Sequence, residues 1–420
     1  MIFIIGFALI WNPLSFFPIE RTHLEHVKIG EDVQLRFTIC YALMCVTLAI
    51  FRLVIYKELR WDIPRGGGVA LTQTTENDLR DDAKLVVLGV IVLAVFASVF
   101  LSSSEYRAYL VNIYDYVRGG SLISYGEYRR GTHFAGFVMT NLHVRAASIF
   151  YILFAVWILL AVKRRSWALP LCVLAFASFV VGGASFKKAP YVFYLVSAFG
   201  VSYYFLRAKG MQVRRLLPLV FAAVLAGSIL MVSLYIIQYR DNESVTAMRS
   251  LETAYFRIFH AIPGAFKLYC ELYPEAYDFT FGRSIGLLQP ILGYAEQPYS
   301  LVPAHYGAGR TTFPGGYISY AYADFGYVGV IIYSALLMVV LTVLDRFVAG
   351  VVKREVKIVA IVCLGLSALS VHTLPLSTAL LTGGLALSPV LVHLMDCAFR
   401  HPRLRQRAYP FGRAAKTRLG

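Results

Sequence analysis

Near-uninterrupted apolar stretches recur along this chain, each close to the about 17 to 25 residues that a helix needs to cross ~30 Å of hydrocarbon. About ten are present, near Ile2 to Phe17, Phe37 to Tyr56, Leu85 to Ser103, Ala146 to Val162, Ala168 to Gly183, Pro190 to Leu206, Leu216 to Ile237, Tyr317 to Leu344, Ile358 to Leu376 and Ser377 to Met395. Such a succession does not suit a water-soluble core. The composition agrees, with 58% hydrophobic residues against roughly 45 to 50% in soluble domains. The expectation is an all-α, polytopic integral membrane protein with about ten transmembrane helices, read as a single unit over residues 1–420 without evident internal repeats. The first stretch lacks a basic leader and runs into "WNPLSFFPIE" rather than a small-residue cleavage site, so it reads as a helix and not a signal peptide.

The formal charge of +16 follows from topology rather than from binding nucleic acid. Lysines and arginines crowd into every second loop: "YKELRWDIPR", "KRRSW", "RAKGMQVRR", "KREVK" and the tail "RHPRLRQRAYPFGRAAKTRLG". The positive-inside rule then places both termini in the cytoplasm. Five of the six cysteines (Cys40, Cys45, Cys172, Cys363 and Cys397) fall in apolar stretches, and Cys270 stands alone in an outer loop. That pattern suggests no disulfide, and no spaced Cys/His cluster suggests a metal or haem.

The outer face carries two long segments, Glu105 to Arg145 and residues 238–316, the latter a large loop between the seventh and eighth helices. Length on that side points to function. Within the second, Met248, Leu251, Tyr255, Phe259 and Ile262 recur at helical spacing, so an amphipathic helix at the interface is expected, kinked or ended by Pro263 and Gly264. The same loop holds Arg240, Arg249, Arg257, His260, Arg283, His305 and Arg310. Guanidinium forks suit phosphate oxygens. Equally, they could pair with Asp241, Glu243, Glu252, Glu271 or lipid head groups. Lys187 and Lys188, in a short outer connection, read either as snorkelling anchors or as point charges for an anion.

The stretch "RTTFPGGYISYAYADFGYVGVIIYSALL", residues 310–337, with "YFRIFH" and "FGRSIG" before it, resembles the bacterial O-antigen and oligosaccharide repeat-unit polymerases of the Wzy type. The resemblance covers roughly Gly182 to Leu344, and elsewhere rests on hydropathy and helix number. It departs where many members carry a Gly-Ser-Arg type stretch, since this chain reads Gly182-Gly183-Ala184-Ser185-Phe186-Lys187-Lys188. Lysine keeps the charge there but loses the bidentate fork.

The resemblance implies a GT-C-like glycosyltransferase of the bacterial inner membrane, without cofactor or metal. It would transfer a growing glycan from undecaprenyl pyrophosphate to a new lipid-linked repeat unit. Implied partners are undecaprenyl-pyrophosphate-linked oligosaccharides, the bilayer, a chain-length regulator and a flippase. Arg257, with Arg240, Arg283, Arg310, Lys187 and Lys188, would bind the pyrophosphate. Glu243, Glu252, His260 and His305 are candidate bases for the acceptor hydroxyl, and Asp324 is a further one. Tyr273, Tyr277, Tyr294, Tyr299, Tyr306, Tyr317, Tyr320 and Tyr322 offer sugar platforms or an interfacial belt; of these, Tyr317 and Tyr320, with Asp324, are the substrate-binding candidates. Two rivals remain: an O-antigen ligase, and a non-catalytic lipid-linked oligosaccharide flippase or transporter. A transporter would place its polar groups at mid-membrane, where Arg52 and His372 are the main examples here.

Overall fold

The computed structural model describes residues 30–58, 76–104, 106–108, 111, 137–183, 188–238, 248, 261–285, 298–306, 315–369, 371, 374, 376–381 and 385–399. The described residues are helical, with no strand among them. The elements are α1 (Glu31–Glu58), α2 (Glu76–Ser102), α3 (Phe137–Lys163), α4 (Ala168–Gly183), α5 (Lys188–Ala208), α6 (Val213–Gln238), α7 (Ala261–Leu272), α8 (Pro298–His305), α9 (Gly316–Gly350), α10 (Arg354–Leu369), α11 (Leu376–Leu381) and α12 (Leu387–Phe399).

Three described helices are long and apolar enough to cross a bilayer: Glu31–Val54 of α1, Leu79–Ser102 of α2, and α9. Their outward faces show why water is the wrong solvent. Val46, Ile50 and Leu53 on α1, Val87, Ile91 and Val95 on α2, and Val328, Ile332, Leu336 and Val343 on α9 are all exposed. Such stripes are tolerated when lipid covers them. The chain is therefore a membrane protein.

Helix covers the apolar stretches from the second to the eighth, while the last two differ from expectation. The ninth ends at Leu369, before "HTLPL", where Pro375 supplies no N–H and disfavours helix in the residue before it. The tenth is not one crossing helix but α11 and α12, of 6 and 13 residues. At 1.5 Å per residue the longer reaches only about 20 Å. Leu385 and Ala386 donate their N–H groups back to the carbonyls of Ala379 and Leu380, closing the end of α11. The first stretch, Ile2 to Phe17, lies outside the described residues.

Two packed clusters form the interior. On α1, Phe37, Cys40, Met44 and Leu48 face α9 and α7 at three- and four-residue spacing. On α3, Phe150, Leu153, Trp157 and Leu160 face α2, α4, α5 and α10. Helix α10 belongs to both, with Val356, Ala360 and Leu364 on one side and Val359, Val362 and Leu366 on the other. Trp157 donates to Ser178 Oγ at 3.1 Å and packs against Gly89, where any Cβ would collide with the indole.

One end of the bundle is basic. Lys163 pairs with Asp82 at 2.9 Å and Glu355 at 2.6 Å, Arg164 Nε with Asp82 at 2.9 Å, and Lys353 with Asp81 at 3.1 Å. Arg52, the mid-membrane exception in the sequence, pairs with Asp345 at 3.5 Å at the same end. Asp396 of α12 accepts from Val352 N and Lys353 N, both at 3.1 Å, and so arrives there too. A cavity of about 830 Å³ opens between Lys163, Arg164, Arg165, Ser166, Leu206 and Lys209. Among the described residues, "KRRSW", "RAKGMQVRR" and "KREVK", which the charge pattern assigned to one side, thus meet in space.

Candidate functional site

The opposite end is built around α7 and the start of α9. On α7, Phe266, Tyr269 and Cys270, and Tyr273 just past its end, recur at helical spacing and are buried against α1 and α9. Pro263 and Gly264, expected to kink or end a helix, lie within α7, which runs on past them to Leu272; the stretch from 249 to 260, where most of the amphipathic helix is expected, lies outside the described residues. Arg36 on α1 clamps the far end, donating to the Cys270 carbonyl at 3.3 Å and pairing with Glu275. Lys267 lies 5.0 Å from the centre of the Phe37 ring, and burial lowers the pKa of its ammonium.

Beyond α7 the chain turns and clips onto α9. The clip depends on a break in that helix, where Phe325 has φ −143° and Gly326 has φ +60°. The break frees the carbonyls of Ala323 and Asp324 from their helical partners. They accept instead from Thr280 N at 2.9 Å and Phe281 N at 3.0 Å. The Asp324 carboxylate, 0% exposed, finishes the joint. It accepts from Ser284 N at 3.2 Å, from the hydroxyls of Thr280 and Ser284, and from Tyr333 at 2.6 Å.

Glycine is required at the break. Residue 326 has a backbone angle that side chains disfavour, and a Cβ there would lie 3.0 Å from Phe279 Cζ. At Gly329 a Cβ would collide with the Ala321 carbonyl, because the kink folds the two halves of α9 toward each other. Gly329→Ala is expected to cost about 1–3 kcal/mol through this overpacking. Thermal melting of the purified protein in detergent reads the loss, and an unchanged midpoint would refute the tight approach.

The clip presents Phe281, 66% exposed with φ +47°, beside the exposed Arg283. Nearby on the same loop, α7 and α8 bring two polar groups together. Tyr306 donates to Glu271 at 2.8 Å, and His305 Nδ1 lies 3.4 Å from Tyr277 Oη. The His305 ring is 5.2 Å from that of Tyr306 and 5.8 Å from that of Tyr277. Glu271, read from sequence as a counter-ion for an arginine, accepts from this tyrosine, while Arg240, Arg249, Arg257 and Arg310 lie outside the described residues. Burial, with Glu271 beside it, pushes the Tyr306 phenol above its ordinary range.

The substrate-binding candidates lie inside. Tyr317 is 4% exposed, with its hydroxyl 3.2 Å from Ser334 Oγ, and Tyr320 packs edge-on to Tyr269 at 5.7 Å. Tyr322 and Tyr273 are also buried, joined by a 3.3 Å hydrogen bond from the Tyr322 hydroxyl to the Tyr273 carbonyl. These tyrosines and Asp324 hold the loop in place. Lys188 begins α5, two residues before Pro190, at the end where Tyr106 ties α4 through Val181 O at 3.0 Å. The candidates Arg257, Glu243, Glu252, His260, Lys187, Arg240 and Arg310, and the Lys188 side chain, lie outside the described residues.

Sequence reasoning missed Thr280, Ser284 and Tyr333 as partners of Asp324. It also missed the Arg36 clamp and Lys267. A signal was available: an acid in an apolar helix needs donors, and "TFGRS" supplies two hydroxyls and a turn. Compared with protein-family models, with curated proteins and with solved structures, the chain finds no match in any of the three.

Proposed function

We propose that this protein is a membrane glycosyltransferase that polymerises undecaprenyl-pyrophosphate-linked oligosaccharide repeat units into O-antigen or a related surface polysaccharide. In this reading the basic end faces the bacterial cytoplasm, about ten spans form a GT-C-like body, and the loop between the seventh and eighth spans works at the outer leaflet. One observation carries the proposal. Two of the stretches behind the family resemblance, "FGRSIG" and "DFGYVG", are some forty residues apart in sequence yet meet in space through Phe281 N to Asp324 O at 3.0 Å and Ser284 N to Asp324 Oδ1 at 3.2 Å. Motif residues that fold into one joint support a shared task.

The chemistry needs few parts. The bond between the donor sugar and its pyrophosphate breaks as an acceptor hydroxyl attacks, and the pyrophosphate leaves with the electron pair. Arg257, with Arg240, Arg283, Arg310, Lys187 and Lys188, would neutralise that leaving group. A base takes the hydroxyl proton. Of the candidates whose side chains are described, Asp324 is saturated with donors and acts as a positioning residue, while His305 is exposed beside Tyr277. Exposed Phe281 next to Arg283 would offer a ring face to a sugar.

Arg257→Ala is expected to lower polymerisation about 100-fold or more, by the loss of one electrostatic partner of the leaving group. The readout is the surface-polysaccharide ladder of cells in which membrane levels of the variant match those of the wild type. A normal ladder would remove Arg257 from the site.

A further inference from the structure

The basic end of the bundle carries more positive charge than its ion pairs neutralise. Lys163 is held by Asp82 at 2.9 Å and Glu355 at 2.6 Å, and Arg164 gives its Nε to Asp82 at 2.9 Å. Arg164 Nη2 is buried with no acceptor among the described residues. Arg165 and Lys209 are exposed and have no acidic partner among those residues. Lys209 sits just past α5, where Met211 N returns to Leu206 O at 3.2 Å and Gly210 turns the chain at φ +86°. Its Nζ rests 4.6 Å from the centre of the Phe205 ring. All four cations, with Ser166, line the cavity of about 830 Å³ between the ends of α3 and α5, and among the described residues no acid lines it.

That volume falls within the about 300–1,000 Å³ usual for ligand pockets, and Ala161, Val162 and Leu206 make the rest of the wall apolar. Three residues past Ser166 the outward face of α4 begins. Leu169, Val173 and Phe176, at four- and three-residue spacing, are 78%, 59% and 65% exposed. A molecule with a phosphate for the cavity and an acyl chain for that face matches both surfaces. A free phosphate matches only the first.

We propose that this cavity binds an anionic phospholipid, its phosphate held by Arg165, Lys209 and the Ser166 hydroxyl, its acyl chains lying along α4. The arginine fork supplies paired donors and the lysine a point charge. Occupied, the site bridges the α3–α4 connection to the end of α5. The inference is independent of the reaction proposed for the opposite end.

The test uses the full-length protein purified in detergent. It is titrated with phosphatidylglycerol, with phosphatidylcholine of the same acyl chains and with inorganic phosphate, and binding is read by native mass spectrometry. Phosphatidylglycerol is expected to bind most tightly, and the Arg165→Ala/Lys209→Ala double variant to weaken it about 10-fold or more. Arg214→Ala/Arg215→Ala removes the same charge from exposed residues that do not line the cavity, and is expected to leave binding unchanged. Equal weakening in both double variants would overturn the proposal, because it marks charge spread over the whole end. So would equal binding of the two lipids, or binding of inorganic phosphate without phosphatidylglycerol. Should the Arg165/Lys209 variant fail to accumulate, a photoreactive phosphatidylglycerol decides on the wild type. Cross-links to residues 161–169 and 206–209 are expected, and cross-links confined to other segments would overturn the site.

Discussion

Asp324→Ala is expected to lower the stability of the folded protein by about 3–5 kcal/mol, one of the two largest effects foreseen for a single substitution here. The carboxylate is 0% exposed and accepts from Thr280, Ser284 and Tyr333 hydroxyls and from Ser284 N. Alanine would leave four donors facing an apolar hole. Each unsatisfied buried group costs about 1–3 kcal/mol, and rotation of the hydroxyls toward other carbonyls recovers part of the sum. Thr280→Ala removes one donor and leaves the rest, so its cost is expected near 1 kcal/mol. Melting in detergent separates the two, and a wild-type midpoint for Asp324→Ala would show that the clip does not depend on its acid. If the protein is the proposed polymerase, polymer length should fall with the clip, because Phe281 and Arg283 are carried by it.

Asp82→Ala is expected to have an effect of similar size at the other end, about 3–5 kcal/mol. Asp82 is 0% exposed and faces two cations, Lys163 and Arg164, which are themselves only 11% and 17% exposed. Truncating the acid leaves Arg164 buried without its carboxylate and Lys163 with Glu355 alone. The cost is the stranded charge rather than the lost attraction. A double variant, Asp82→Ala with Arg164→Leu, should therefore recover part of the loss. Monodisperse protein remaining after a heat step, followed by size-exclusion chromatography, reads both. Equal survival of Asp82→Ala and the wild type would mean that solvent reaches these cations.

Some of this architecture was legible in the chain and some was not, for physical reasons. Hydropathy located α1, α2 and α9, because a crossing helix needs only length and apolar side chains. Charge asymmetry grouped the loops that meet around Asp82 and Lys163, because it marks sides without naming partners. The same hydropathy misread Ser377 to Met395 as one helix. Apolar side chains hide a turn of the backbone, and Leu385 and Ala386 form one between α11 and α12. The break at Phe325–Gly326 was equally silent, since it lies inside a continuous apolar run. Asp324 was visible as an anomaly needing a partner, but two of its partners, Thr280 and Ser284, lie some forty residues upstream.

The most direct test of the central claim is a gel of surface polysaccharide from a strain lacking this gene, beside the complemented strain. The reading as a repeat-unit polymerase predicts loss of long chains, with a single repeat unit still attached to the acceptor. An unchanged ladder would contradict it. So would loss of every repeat with long lipid-linked polymer accumulating, which marks a ligase, or single lipid-linked units retained on the cytoplasmic side, which marks a flippase.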